Sequence, residues 1–334
     1  MCPTVLRLRC VCRVNRKEIC EARFRHVSIT HVATPEASNC ALLRPKHSET
    51  GFLRHCQQIV SRVIRNKTAH RDDNELTGTV WMQEILPLVL NGGDLTPIQT
   101  IPNWDRVPWL EEKRLKVVVD QLASPRALVT HFPYELMPQS FFSSKAKVIY
   151  VMRNPKDVAV SSYYFHQMAT FLEDPGTWEE FIDKFLEGRV MFGKWTNHVK
   201  SWRHTELEDR IMYITYEQMI QDLPAALRLM SDFLGKNLSD EVIEKIASHC
   251  SFKSMQANVM SNFTLVPKIY MDSDKSQFLR KGVVGDWKNH FSSKQLAHFS
   301  TVIYKELEGE SFTLPWSLDG AADVTKVDEK VEML

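Results

Sequence analysis

A near-continuous apolar stretch, Val148-Ile149-Tyr150-Val151-Met152 after Lys147, breaks off at Arg153-Asn154-Pro155. Such a run, without polar alternation, reads as an inner strand of a parallel sheet, buried on both faces. Asn154 is suited to cap a helix and Pro155 to occupy its first turn, so the spacing predicts strand, tight turn and helix in succession. A chain built around that junction belongs to the α/β class.

The pattern from Thr77 onward agrees, because helical and strand signals alternate. Trp81, Ile85, Leu88 and Val89 predict a helix over 79–91 that stops at Gly92-Gly93, and 127–130 is a short strand ending at His131. Thr177-Trp178-Glu179-Glu180 has the form of a capping box opening a helix that stops at Gly188. A further strand is expected over 211–216, followed by helices over 217–234 and from Ser239 to His249. Residues 256–286 lack periodicity and carry Gly282 and Gly285, which predicts a long functional loop. Residues 319–334 read as a charged, flexible tail.

Composition matters chiefly at the amino terminus. Residues 1–71 hold 14 Lys and Arg against 4 Glu, a charge of +10, while the remaining chain holds 28 basic against 37 acidic residues. Six of the 7 cysteines also lie there: Cys2, Cys10, Cys12, Cys20, Cys40 and Cys56. A zinc or disulfide module would need regular pairs, and Cys10-Val11-Cys12 has no matching partner pair. A mitochondrial transit peptide would need a Ser-rich amphipathic repeat beside its arginines. The reading adopted is an atypical basic, Cys-rich extension over 1–73, poorly ordered, ahead of one domain over 74–318. No apolar run reaches a membrane span and no apolar leader follows the first basic residues, so a cytoplasmic protein is expected, without membrane or nucleic-acid partners.

Two strings carry the chemistry. Arg153-Asn154-Pro155-Lys156-Asp157-Val158-Ala159-Val160-Ser161 leaves a buried strand and enters a helix, whose amino terminus offers N–H groups and a positive dipole end to an anion. Arg153 adds a bidentate donor and Ser161 a hydroxyl; a solvated turn is the competing reading. Phe278-Leu279-Arg280-Lys281-Gly282-Val283-Val284-Gly285-Asp286-Trp287-Lys288 sets two cations beside glycines, which suits a loop closing over a phosphate, although basic glycine-bearing surface loops are common. A nucleoside-triphosphate kinase is disfavoured, because the glycine loop lacks the Lys-Ser/Thr pair that holds β- and γ-phosphates and magnesium.

Together with Thr130-His131, Tyr216-Glu217 and Gly176-Thr177-Trp178, these strings resemble the cytosolic sulfotransferase family from about Thr77 to Trp316. The resemblance implies a P-loop-like three-layer fold with a central parallel sheet of about five strands. It also implies transfer of a sulfuryl group from 3′-phosphoadenosine-5′-phosphosulfate (PAPS), without a metal, to a hydroxyl or amine of a small apolar acceptor. By the same resemblance Arg153, Ser161, Arg280, Lys281 and Gly282 hold the 3′-phosphate. Trp81, Tyr216 and Phe252 surround the adenine, and Thr77, Gly78 and Thr79 meet the phosphosulfate end. His131 is the general base, and Trp109, Phe165 and Phe263 shape a pocket suited to phenols, steroids or arylamines.

Three positions depart from the family pattern. Leu76 stands where the cofactor loop has lysine, and the residues before it, Thr68 to Asp73, do not read as the buried strand expected there. An alternative reading is therefore a homologue that binds PAPS or its desulfo product but turns over poorly. Cys250 replaces a threonine near the adenine, where a thiol is a poor donor. In 288–297 Lys288 survives but the threonine-valine and glutamate of the family's dimer segment do not, which leaves a homodimer through this segment open.

Overall fold

The structure, a computed structural model, describes residues 31–32, 78–110 and 115–318. Thr77, Leu76, the remainder of 1–73 and the tail over 319–334 lie outside the described residues. In chain order the elements are β1 (His31–Val32), α1 (Thr79–Leu90), α2 (Thr96–Thr100), α3 (Asn103–Arg106), α4 (Leu115–Gln121), β2 (Ala127–Leu128), α5 (Gln139–Phe142), β3 (Lys147–Met152) and α6 (Pro155–Met168). They continue with α7 (Trp178–Glu187), α8 (Trp195–Arg203), β4 (Ile211–Thr215), α9 (Tyr216–Gln221), α10 (Leu223–Leu234), α11 (Asp240–His249), α12 (Phe252–Ala257) and α13 (Ser293–Glu306).

β3 and β4 pair in parallel from Val148 opposite Ile211 to Met152 opposite Thr215. A parallel pair needs a crossover, supplied here by α6, α7 and α8. The expected sheet of about five parallel strands is not what the described residues form. Their sheet has four strands in the order β2-β1-β3-β4, and β1 runs antiparallel to both β2 and β3. The slot beside β3 is filled by His31–Val32, a pair from the basic amino-terminal stretch, which enters against the direction of β3.

Local signals account for several helix ends, although the Ser239 side chain expected at the start of α11 makes no cap hydrogen bond. Asn154 accepts from the Lys156 N–H and Pro155 takes the first turn of α6, as the sequence predicts. Thr177 and Glu180 form the capping box of α7, and Gly188 ends that helix at φ 75°. The helix expected over 217–234 is instead two: Tyr216 leaves the strand and begins α9, and Asp222 then caps α10 by accepting from Ala225 N–H with proline in the first turn. That break was legible as an Asp-x-Pro start signal inside the helical pattern. Helices α8 and α13, the latter opened by a Ser292–Gln295 capping box, were not anticipated.

α1 is central to the core: Met82, Ile85, Leu86, Leu88 and Val89 are fully buried. Its buried carboxylate is matched inside, where the Arg106 guanidinium pairs with Glu84 at 3.0 Å and reaches the Met260 carbonyl. A buried charge is tolerated only when paired and hydrogen-bonded. This pair ties α1 to the start of the loop over 258–285, which contains neither helix nor strand. No helix among the described residues is long and apolar enough to cross a membrane.

Candidate active site

A cleft of about 150 Å³ opens beside Gly78 and the first turn of α1. It gathers Gly78, Thr79, Trp81, Arg153, Ser161, Tyr216, Phe252, Arg280, Lys281 and Gly282 from segments scattered over some two hundred residues. Apart from Thr77, every cofactor residue expected from the sequence lines this one cleft.

Arg153, at the carboxyl end of β3, lies with its guanidinium 4.3 Å over the Tyr216 ring and donates from Nη2 to the Val283 carbonyl at 3.1 Å. Stacking occupies the face of a guanidinium and leaves its in-plane N–H groups directed outward. The amino terminus of α6 is less open to an anion than the sequence reading supposes, because the Asn154 side chain already takes the Lys156 N–H. The polar side chains that this side presents to the cleft are those of Arg153 and Ser161. Asp157, in the first turn of α6, accepts from the N–H groups of Gly285 at 2.7 Å and Trp287 at 3.0 Å. The second cationic string is thereby fastened to the first.

Gly282 has φ 65°, and a Cβ there would lie 2.1 Å from the Phe252 ring. The loop passes flat against that ring, an approach only glycine permits. Gly78, at φ 103°, similarly sits against Tyr216, where a Cβ would meet the ring at 3.2 Å. Trp81 contacts Tyr216 edge-on at 5.5 Å and donates from Nε1 to the Cys250 carbonyl at 2.8 Å. That bond uses the backbone, so it survives the replacement of threonine by cysteine. Burial pushes the Cys250 thiol well up and keeps it neutral.

Arg280 Nη2 is 2.7 Å and Lys281 Nζ 2.6 Å from the carboxylate of Asp286. Burial pushes that carboxyl up, but hydrogen bonds from Lys281, Asn289 and Arg280 outweigh it and hold the group well below the usual carboxylate range. The Arg280 guanidinium also lies 4.4 Å over the Tyr164 ring of α6. Asp157, Tyr164 and Asp286 were not singled out in the sequence, although all three sit in or beside the quoted strings.

His131 follows β2 and is buried, its Nε2 3.2 Å from Thr79 Oγ1, with its ring stacked on Phe192. Burial, reinforced by His198 nearby, lowers its pKa well below the ordinary imidazole value, so the ring is neutral at pH 7. Thr79 lines both the cleft and the smaller cavity containing His131 and His198. Of the three expected acceptor-side aromatics, Trp109 lines the cleft. Phe263 stacks on Phe278 at 3.9 Å, and Phe165 meets the same ring edge-on at 6.2 Å. Phe278, which the sequence reading did not single out, is thus the ring on which the two others converge. Aromatic pairs of this kind contribute roughly 0.5–1.5 kcal/mol each beyond their burial.

Aromatic rings, cations from two segments and a neutral imidazole one hydroxyl away thus line two adjoining cavities, an arrangement of the kind found in nucleotide-dependent group-transfer enzymes. Residues 75–311 match the family model described as "Sulfotransferase domain". "Sulfotransferase 2B1" of Mus musculus is 43% identical over 240 residues, 72% of this chain and 71% of its own. "3-beta-hydroxysteroid sulfotransferase" of Cavia porcellus is 38% identical over 262 residues, 76% and 91% of the two chains. Among solved structures, mouse sulfotransferase SULT7A1 complexed with PAP is similar at TM-score 0.59 and 28% identity, over 77% of this chain and 92% of that one. Retinol dehydratase in complex with androsterone and inactive cofactor PAP shares the fold at TM-score 0.66 and 21% identity, over 78% and 88%. The chain belongs to the sulfotransferase family. It is a transferase whose sulfuryl donor is PAPS, and the lining of the cleft fits such a nucleotide, with Arg153, Arg280, Lys281 and the Ser161 hydroxyl sharing its wall with the rings of Trp81, Tyr216 and Phe252.

Proposed function

We propose that this cytoplasmic enzyme transfers the sulfuryl group of PAPS to the hydroxyl or amine of a small apolar acceptor, a phenol, steroid or arylamine, with a steroid alcohol the first to test. The observation that carries the reading is the neutral, buried His131 one hydrogen bond from Thr79, the residue shared by the nucleotide cleft and the inner cavity.

Arg153 and Ser161 on one side and Arg280, Lys281 and Gly282 on the other hold the 3′-phosphate. Trp81, Tyr216 and Phe252 flank the adenine, and Gly78 and Thr79, with Thr77, meet the phosphosulfate end. When bound, PAPS supplies an activated sulfuryl group on a phosphate that leaves readily. His131 accepts the acceptor's proton, a task for which an imidazole kept neutral at pH 7 is suited. The aromatic group formed by Trp109, Phe263 and Phe278, with Phe165 behind, favours a flat apolar acceptor. A relative named as a hydroxysteroid sulfotransferase and a structural neighbour holding androsterone support the steroid assignment.

Incubation with radiolabelled PAPS and a 3-hydroxysteroid, a simple phenol or an arylamine tests the reading. Labelled steroid sulfate is expected; no labelled product with any acceptor would overturn it. The second reading, a nucleotide-binding homologue of low turnover, is favoured by Leu76 in place of the cofactor-loop lysine. It predicts binding of the desulfo product with little transfer.

A further inference from the structure

Arg280 and Lys281 are adjacent cations on a loop without regular structure, and two such side chains would ordinarily repel each other and point into water. Here both end on one carboxylate. Asp286 lies 2.7 Å from Arg280 Nη2 and 2.6 Å from Lys281 Nζ, with its side chain only 3% exposed. Asn289 Nδ2 reaches the same carboxylate at 3.0 Å and His290 Nε2 at 3.4 Å. The two neighbours of Asp286 in the chain, Gly285 and Trp287, are held through their N–H groups by Asp157. Its position is thus set by α6, the helix that follows Arg153 and carries Ser161.

We propose that Asp286 is a positioning residue for the 3′-phosphate clamp: its buried carboxylate keeps Arg280 and Lys281 gathered at the cleft before the nucleotide arrives. This rests on the assignment of those two cations to the 3′-phosphate. One carboxylate against two cations leaves net positive charge facing the cleft, to which Arg153 adds. The clamp therefore stays attractive to a phosphate while losing less side-chain freedom on binding, which is how preorganisation improves affinity. A competing internal anion would act in the opposite sense, by having to be displaced.

The test compares, by calorimetry on the full chain, the affinities for 3′,5′-diphosphoadenosine and for adenosine 5′-phosphate, which lacks the 3′-phosphate. In the parent the first should bind much more tightly; if it does not, the assignment of the clamp fails, whatever Asp286 does. In Asp286→Asn, close in shape but uncharged, affinity for the diphosphate should fall about tenfold or more, while that for the monophosphate stays within about twofold. Unchanged or tighter diphosphate binding would overturn the proposal, as would a parallel loss for both nucleotides, which marks a merely structural role. Should Asp286→Asn not fold, Asp286→Glu keeps the charge but displaces the two cations. Its preference for the diphosphate should shrink, and an undiminished preference counts against the proposal.

Discussion

Thr79 Oγ1 and His131 Nε2 lie 3.2 Å apart, which joins the first turn of α1 to the segment that follows β2. His131→Ala should abolish transfer while leaving affinity for 3′,5′-diphosphoadenosine almost unchanged, because the imidazole lines the inner cavity and not the cleft lined by Arg153, Arg280 and Lys281. Since burial lowers the His131 pKa, the acidic limb of the rate profile should fall below the ordinary imidazole range near pH 6.5. Retained turnover in the mutant, followed with labelled donor, would remove the general-base role.

Gly282→Ala should weaken nucleotide binding about tenfold. The new Cβ would sit 2.1 Å from the Phe252 ring, and φ 65° costs a side-chain-bearing residue about 1–2 kcal/mol. Phe252→Leu in the same background relieves the clash but leaves the backbone cost and removes a ring proposed to flank the adenine, so recovery should be partial at most. Calorimetric titration showing parental affinity in the single mutant would contradict this packing.

Stability should fall as pH drops from about 6.5 towards 4. Burial lowers the pKa of His166 and of His198 to about 4, and that of His131 is lowered in the same sense. Over this window the unfolded chain binds more protons than the folded one, so their contribution is complete above the unfolded value and lost as pH falls through the folded one. Each of the first two is worth on the order of 3 kcal/mol when fully titrated. Glu217, whose carboxyl burial pushes up, works in the opposite sense. A thermal midpoint that stays level between pH 6.5 and 4.5 would exclude the effect.

Leu76 is the position where the chain most sharply departs from its family. Without a lysine, charge developing on the leaving phosphate must rely on backbone N–H groups around Gly78 and Thr79. Losing one such contact typically costs on the order of a hundredfold in rate. Replacing residues 60–76 with a family-like strand and loop ending in proline-lysine should raise turnover by about that factor, with a smaller change in affinity for the 3′-phosphate end. An unmodified chain that already matches the chimera would show that another cation does the work.

Much of this site was legible in the sequence because it rests on short-range physics. The apolar run over 147–152, the Asn154 cap and the Thr177 capping box are decided within a few residues, and they form as predicted. The Arg153 and Arg280 strings were legible through their resemblance to the sulfotransferase family; composition and glycine placement alone left a solvated turn and an ordinary surface loop open. Even the missed break at Asp222 was a local signal overlooked within a longer helical period.

Other features only the tertiary structure decided. That the two strings meet depends on Asp157 reaching Gly285 across 128 positions, and no periodicity encodes such a partner. The pairing of two cations with Asp286, and the gathering of Phe165 and Phe263 around Phe278, likewise depend on how the long loop folds back. The direction of β1 was equally beyond local reading: a two-residue strand has almost no preference of its own, so its neighbours β2 and β3 set its place. The sequence by itself determined which chemical groups and local turns were available; long-range packing decided which of them share a cleft, because a side chain's pattern along the chain says little about what will lie against it.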